Sequence, residues 1–413
     1  MAKLIIIGGG FAGVNAAQAL RKAPIDILLL DRTNHHVFQP LLYQVATAAL
    51  SIGNITSPLR EIFERQSNVT VLMENVTHIH RDKKLVETSE GKLFSYDYLI
   101  VAPGARHSYF GHAEWEQYAL GLKTVVDASN IRERILMAFE IAERTKDPET
   151  AKRYLNFAII GGGPTGVEMA GSIAEFAHRT LVKNFRHINP ANSKIYLIEG
   201  EEQLLPSYPK HLADIALKDL EQLGVTVILK KHVTNVTKEG IYLGEELLNI
   251  PTIIWAAGNQ ASPLLKTLDT PLDKQGRAIV NPDLSIPSDP NVFVVGDAAA
   301  CQDENGHMLP AIAPVAIQQA RFVAKIIKNQ IEPEKRQAFR YFDKGMIATI
   351  GRGRAVALLR KLQFSGFIAW LIWGFVHILY LISFKNRVLV MTQWAFWYFT
   401  ENRPDRIINH PIK

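Results

Sequence analysis

Two runs of glycine carry the spacing G-x-G-x-x-G: Gly8, Gly10 and Gly13 in LIIIGGGFAGVNAAQAL, and Gly161, Gly163 and Gly166 in FAIIGGGPTGVEMAGSI. In such a turn the first glycine permits the bend, the second lets the backbone approach a pyrophosphate, and the third lets helix pack on strand. The phosphates then sit at the positive N-terminus of the helix. Each copy is followed by an apolar strand ending in an acid, IDILLLD at Asp31 and KIYLIE at Glu199, whose carboxylate can accept hydrogen bonds from ribose hydroxyls. Each is followed again by an apolar strand that runs into small residues, Ala102-Pro103-Gly104 in the first copy and Ala257-Gly258 in the second. Three matched features in one order describe a dinucleotide-binding module written twice.

The second acid lies 33 residues beyond Gly166, more than the usual spacing of about 20. A helix from Gly166 to about Lys183 and the polar stretch before Lys194 absorb that excess. Glu199, Glu201 and Glu202 crowd three negative charges where a 2′-phosphate would lie, with no arginine near them in the sequence, which favours NADH over NADPH. The single cysteine, Cys301, excludes an intrachain disulfide, a CxxC redox pair and a cysteine zinc cluster. Redox chemistry here must therefore be carried by bound cofactors. The 13 histidines show no HExxH or other ligand spacing, His35-His36 read as a loop, and no metal is expected.

The elements that must position these residues follow from the hydrophobic pattern. Leu4–Ile7 is too short for the core of a signal peptide and runs straight into glycines, so it reads as a first buried strand. Residues 69–103 alternate and turn like an antiparallel meander, Ile131–Arg144 reads as a connecting helix, and Ala313 to about Lys328 as another. NVFVVGDAAA is an apolar strand ending in Gly296-Asp297. The expected fold class is α/β, with two Rossmann-like dinucleotide-binding domains, the first interrupted by the second and completed by the Gly-Asp segment. At 413 residues the chain is long enough for such a pair, and its 47% apolar content excludes disorder.

The tail differs from the rest. Residues 351–413 carry a net charge of +7, while the first 350 carry −1, and four of the six tryptophans (Trp370, Trp373, Trp394 and Trp397) lie there too. Basic, aromatic and apolar together point to a lipid bilayer surface and away from nucleic acid. Phe364–Phe384 is 21 residues without a formal charge, about 31 Å as a helix and long enough to span. Basic residues at both ends and a less apolar face favour lying in or re-entering the interface, with a single span or a buried helix as the alternatives.

These blocks, with FQPLLYQVATAALS, ENVTHI, VFVVGDAA and LPAIAPVAIQQ, resemble the type II NADH:quinone oxidoreductases, within the two-dinucleotide-binding-domain flavoproteins. The resemblance implies an FAD domain over 1–110 and 271–335, an NADH domain over 111–270 and a membrane-anchoring segment over 336–413. It implies that Gly8, Gly10, Phe11, Ala12, Gly13, Asp31, Arg32, Thr47, Val76, Ala102, Pro103, Gly104, Gly296, Asp297 and Ala313 surround FAD. Gly161, Gly163, Pro164, Thr165, Gly166, Glu199, Ala257 and Gly258 would hold NADH, with Glu168 orienting the nicotinamide carboxamide. Gln318, with Gln44, Pro314 and Ile317, would face a membrane quinone, and Tyr43 lies beside Gln44. Two departures bear on the quinone-side proton chemistry: Pro314 replaces the first Gln of an AQxxxQ pattern, and Ser172 stands where some members carry a glutamate.

The implied activity is NADH oxidation through FAD to quinone without proton pumping, in a monotopic or peripheral enzyme at the cytoplasmic face of the cell membrane, with a homodimer as a further implication. The competing readings are a soluble-acceptor flavin reductase of the rubredoxin or ferredoxin type, and an NADH-sensing flavoprotein without turnover.

Overall fold

Leucine and β-branched runs set the two main sheets, because strands covered on both faces need no polar alternation. The computed structural model describes residues 1–409, so the last four residues of the segment expected over 336–413 lie outside the described residues. In chain order the elements that matter are β1 (Ala2–Ile7), α1 (Phe11–Ala19), β2 (Ile25–Asp31), α2 (Leu42–Ala46), β3 (Val69–Met73), β4 (Tyr98–Val101), β5 (Ala119–Gly121), α3 (Val125–Arg144), β6 (Asn156–Ile160), α4 (Pro164–Glu175), β7 (Lys194–Ile198), α5 (Lys210–Gln222), β8 (Val225–Ile228) and β9 (Thr252–Trp255). They continue with β10 (Asp289–Val294), α6 (Ala313–Lys328), β11 (Met346–Gly351), β12 (Arg354–Leu359), β13 (Leu362–Ser365), α7 (Gly366–Tyr380) and α8 (Phe384–Thr400).

The chain forms two compact units, one of residues 1–37, 56–106 and 259–343, the other of 38–55, 107–258 and 344–409. The segment 38–55 thus belongs to the second unit, with the tail, although it sits in sequence within the first glycine module.

In the first unit a sheet runs Ser285–Ile286, β10, β4, β1, β2, β3, parallel except at the Ser285–Ile286 edge. Ile5, Ile7, Leu30, Leu99, Val101, Val292 and Val294 fill one side of it. Helix α6 packs on α1, where Arg321 Nη2 donates to Asn15 Oδ1 at 2.9 Å. In the second unit the order β5, β9, β6, β7, β8 repeats the same parallel winding. In both sheets the strand order reverses at the strand that feeds the glycine turn, β1 or β6, and such switch points are where open α/β sheets bind ligands.

Several expected elements take different bounds. Of the expected meander only Val76–His80, Leu85–Thr88 and Leu93–Ser95 pair antiparallel, while its two ends, β3 and β4, join the parallel sheet. The connecting helix begins at Val125 rather than Ile131, because Thr124 and Asp127 close a capping box: Asp127 N–H donates to Thr124 Oγ1 at 3.1 Å and Thr124 N–H to Asp127 Oδ2 at 2.8 Å. The helix after Gly166 ends at Glu175 and passes into one wide π turn, Phe176–Thr180. His35-His36 form a short strand with Val37, paired antiparallel to Thr56–Pro58, and not a loop. The 21-residue apolar run is divided among β13, α7 and the start of α8, and no helix among the described residues is long and apolar enough to cross a membrane.

The second unit also carries the antiparallel sheet β11-β12-β13, onto which α4 lies almost flush. A Cβ on Gly171 would stand 1.7 Å from the Ile350 carbonyl oxygen, so only glycine allows this approach. Because the obstacle is backbone on a paired strand, Gly171→Ala is expected to cost about 1–3 kcal/mol and lower the melting temperature by several degrees. An unchanged melting curve would show that the helix and sheet separate freely.

Candidate nucleotide cradles and acceptor pocket

In the first unit, Gly8 takes a φ of +103° and a Cβ there would lie 2.2 Å from Ala102 O, which seats the glycine turn against Ala102-Pro103. Gly10 caps α1 with no side-chain hydrogen bond, no acid lies in the first turn, and a Cβ on Gly10 would meet nothing within 4 Å. A helix N-terminus with open space before it has the donors and room that a phosphate group needs. Asp31 Oδ2 accepts the Gly9 N–H at 2.5 Å, and Oδ1 accepts from Thr33 N–H and Oγ1, both at 2.7 Å. Gly296, at φ +71°, lies beside Ala12 and Ala316, bringing the Gly-Asp turn against α1. Asp297 is half-buried on that turn and Ala313 opens α6. Val76 packs partly against the unit's core, Phe11 sets its ring edge on His36, and Arg32 is exposed.

The second cradle repeats the first. Gly161 (φ +106°) packs on Ala256-Ala257, Gly163 caps α4 without a side chain, and a Cβ on Gly163 would meet nothing within 4 Å. Glu199 Oε2 accepts the Gly162 N–H at 2.5 Å and Oε1 the Glu201 N–H at 2.9 Å. Each terminal acid is thus keyed to the residue after the first glycine of its own turn, Gly9 or Gly162. Pro164 and Thr165 are exposed in the first turn, and Gly258 turns against Phe110. Across the sequence, Lys230 donates to Glu202 Oε1 at 2.8 Å, so one of the three crowded carboxylates has a cation that spacing alone does not reveal.

Also in the second unit lies a pocket, partly open to solvent, lined by Tyr43, Gln44, Glu168, Ser172, Glu175, Thr349, Ile350, Gly351, Trp370, Trp373 and Trp397. Helix α4 supplies Glu168, Ser172 and Glu175 from spacings of four and three, hence one face. Burial pushes the Glu168 carboxyl well above its usual range, opposed by a hydrogen bond with the Thr349 backbone, and pushes the neighbouring Tyr43 phenol up as well. The tail helices close the wall with Trp373 while their outer faces show Phe367, Ile368, Leu371 and Phe375 to solvent. His377, half-buried, has its imidazole pushed down to about 4 by desolvation, which leaves α7 without a formal charge at neutral pH.

Not every expected site residue meets here. Gln44 does, with its amide between Tyr43 OH (2.9 Å) and Trp394 Nε1 (2.7 Å). Gln318 lies in the first unit and clamps the Phe342 backbone, both hydrogen bonds at 2.9 Å; Ile317 is buried beside it and Pro314 stands in the first turn of α6. Thr47 belongs to the second unit, fully buried, its hydroxyl 2.7 Å from Ser172 Oγ and its carbonyl accepting from Arg403 Nη1 at 2.8 Å.

Three residues escape a reading of the sequence. Arg403 is fully buried between the Phe176 and Trp397 rings, and nothing in ENRPDR distinguishes it from a solvated tail charge. Gln319, not Gln318, is the inward glutamine of the pair, accepting the Gly296 N–H at 2.7 Å. His36 is buried with Nδ1 3.0 Å from Gly9 O, behind the first cradle. Cys301 is buried, its thiol pushed up to about 11, and is inert.

The sequence profile of the pyridine nucleotide-disulphide oxidoreductases matches residues 2–320, and that of the NDH2 C-terminal domain matches 344–401. The type II NADH:quinone oxidoreductase Ndh of Mycobacterium tuberculosis is 44% identical, covering 97% of this chain and 89% of its own. The type II NADH:quinone oxidoreductase of Staphylococcus aureus is 28% identical over 88% of this chain and 91% of its own. Among solved structures, NDH2 from Plasmodium falciparum in complex with NADH superposes with a TM-score of 0.90 at 22% identity, covering 98% of this chain and 99% of that one, a likeness of fold. Glycine turns, tail and whole-length identity agree, and the chain belongs to the pyridine nucleotide-disulphide oxidoreductases and, within them, to the type II NADH:quinone oxidoreductases.

Proposed function

We propose that this chain oxidises NADH and delivers the electrons, by way of FAD, to a quinone drawn from a membrane surface. The observation that carries the reading is the acceptor pocket: carboxylates and a phenol on one side, and on the other tryptophans from helices whose outer faces are apolar. A soluble protein acceptor would gain nothing from such faces, whereas a quinone with a long apolar tail must enter from lipid.

In this reading the Gly8–Gly13 cradle, Asp31 and the Gly296-Asp297 turn hold FAD, and the Gly161–Gly166 cradle with Glu199 holds NADH. When bound, FAD accepts hydride from NADH and passes two electrons on, chemistry that needs no acid or base from the chain at the hydride step. The residues bind, orient and exclude water. The uncapped N-termini of α1 and α4 take the two pyrophosphates. Asp31, already held by the Gly9 N–H and by the Thr33 N–H and hydroxyl, and Glu199, held by the Gly162 and Glu201 N–H groups, present their remaining lone pairs to the ribose hydroxyls. Gln44 and Tyr43 supply the polar contacts of a quinone ring, held at fixed angles by Trp394.

Membrane attachment is peripheral in this reading, at the cytoplasmic face. Lys385 and Arg387 at the start of α8, and Arg360 and Lys361 before β13, offer charge to anionic headgroups beside the apolar faces. A homodimer, implied by the resemblance alone, is read directly by sedimentation.

Gly163→Ala adds a methyl group that meets no atom of the chain, so melting is expected to stay unchanged while the KM for NADH rises at least about tenfold. Gly10→Ala does the same for FAD retention. A normal KM in the first variant would refute the second cradle as the NADH site.

Replacing Phe367, Leu371 and Phe375 together by Ser removes three side chains that are 51%, 51% and 66% exposed. Losing about 3 kcal/mol of lipid burial, the variant is expected to bind vesicles roughly 100-fold more weakly and to lose turnover with long-tailed quinone. Deleting the tail is a poorer test, because Trp373 and Arg403 are internal to the pocket region. Undiminished vesicle binding would refute the apolar faces as the attachment surface.

A further inference from the structure

Behind the acceptor pocket lies a second, smaller cavity, partly open to solvent and lined by Glu175, Arg179, Thr180, Arg352, Trp397 and Glu401. Only Glu175 and Trp397 line both cavities, so one carboxylate and one indole face each of them. The second cavity reaches water: its Arg179 and Glu401 side chains are each 45% exposed, whereas Glu175 is 5% exposed. Glu175 Oε1 is anchored by the Arg352 N–H at 2.7 Å. Its Oε2 lies 3.7 Å from Arg403 Nη2, too far for a hydrogen bond, and Arg403 Nη2 and Nε have no hydrogen-bond partner.

Quinone reduction by NADH consumes one proton from solvent per turnover: NADH, H⁺ and quinone give NAD⁺ and quinol. Ser172, one turn before Glu175 on the same face of α4, has its hydroxyl shared with Thr47 and Arg403. A serine cannot supply a proton at neutral pH from such a network.

We propose that Glu175 is the proton-carrying residue of the acceptor pocket, giving the proton on Oε2 to a quinone oxygen and taking its replacement from water in the second cavity, with Arg403 as its positioning residue. The inference deepens the functional reading above and rests on it. In the step the carboxyl O–H bond breaks and an O–H bond forms on the quinone oxygen, whose negative charge comes from the two electrons of NADH. The resulting carboxylate is held beside Arg403 until a proton returns, so the ion pair is complete only in the deprotonated state.

Burial keeps the Glu175 carboxyl protonated above the usual carboxylate range, with Arg403, the Arg352 backbone, Arg179 and the Arg352 guanidinium pulling the other way. Arg403 is itself pushed down, to about 10, by burial, with Glu175 and Tyr43 opposing. Glu168 and Tyr43 also face the pocket, and Glu401 the second cavity. A group that must be protonated to act loses rate as pH rises through its raised pKa.

The test compares Glu175→Gln and Glu175→Asp with the wild-type holoenzyme, using a short-chain quinone and, separately, ferricyanide, which takes electrons without protons. Gln keeps an acceptor for the Arg352 N–H and loses the titrating proton. The ratio of quinone to ferricyanide turnover is expected to fall about 100-fold in Glu175→Gln, with loss of the alkaline limb of the quinone rate. Glu175→Asp is expected to regain part of the ratio with the limb displaced. A ratio within twofold of wild type, an unchanged limb, or equal loss with both acceptors would overturn the proposal while wild-type quinone turnover still supports the functional reading. No quinone turnover by the wild-type holoenzyme would overturn both.

Discussion

The close approach of Gly171 to the Ile350 carbonyl fixes helix α4 on the C-terminal sheet, and both chemical ends of the second unit hang from that helix. At its start Gly163 leaves the N-terminus uncapped, the proposed phosphate cradle; at its end Glu175 stands between two cavities. Twelve residues separate them, about 18 Å along a rigid rod. The candidate nucleotide cradle and the candidate acceptor pocket are therefore registered to each other by backbone hydrogen bonds rather than by a flexible loop.

The pocket's electrostatics follow from where that rod ends. Glu168 and Glu175 are withdrawn from water and held toward the neutral form, while Arg403 enters the same interior as a cation sandwiched by two aromatic rings. Taking charge out of water costs several kcal/mol per ion unless it is paired, so a fully buried arginine with two nitrogens lacking hydrogen bonds is a destabilising feature offset by ring contacts and by Glu175. Such arrangements persist where a site needs a shifted proton affinity more than it needs stability.

The tail has two faces with different work. Inward, Ala369 and Trp373 are buried and Trp394 holds the Gln44 amide; outward, phenylalanine, leucine and isoleucine remain in contact with solvent. In the proposed reading, anchoring and acceptor recognition share one pair of helices, so a quinone entering from lipid would meet the pocket wall from behind the same surface that seats the protein.

The repeated glycine turns, the terminal acids and the Gly-Asp strand were readable in the sequence because each depends on local geometry: a positive φ, a helix N-terminus, a strand of fixed length. The α6 bounds followed from periodicity in the same way, and the whole-length family membership agrees with the motifs. Tertiary packing decided the rest. Gln318 and Gln319 are adjacent and chemically identical, and only the docking of α6 turns one onto the Phe342 backbone and the other onto Gly296. Thr47 and Arg403 lie 356 positions apart, and their meeting depends on a chain return that no local pattern encodes. The 21-residue apolar run permitted a spanning helix by length, but the pairing of β13 with β12 takes its first two residues into a sheet, and the chain turn at Leu381–Ser383 ends α7 after 15 residues. Sequence periodicity specifies which face of an element is apolar; which partner covers that face is settled only by long-range packing.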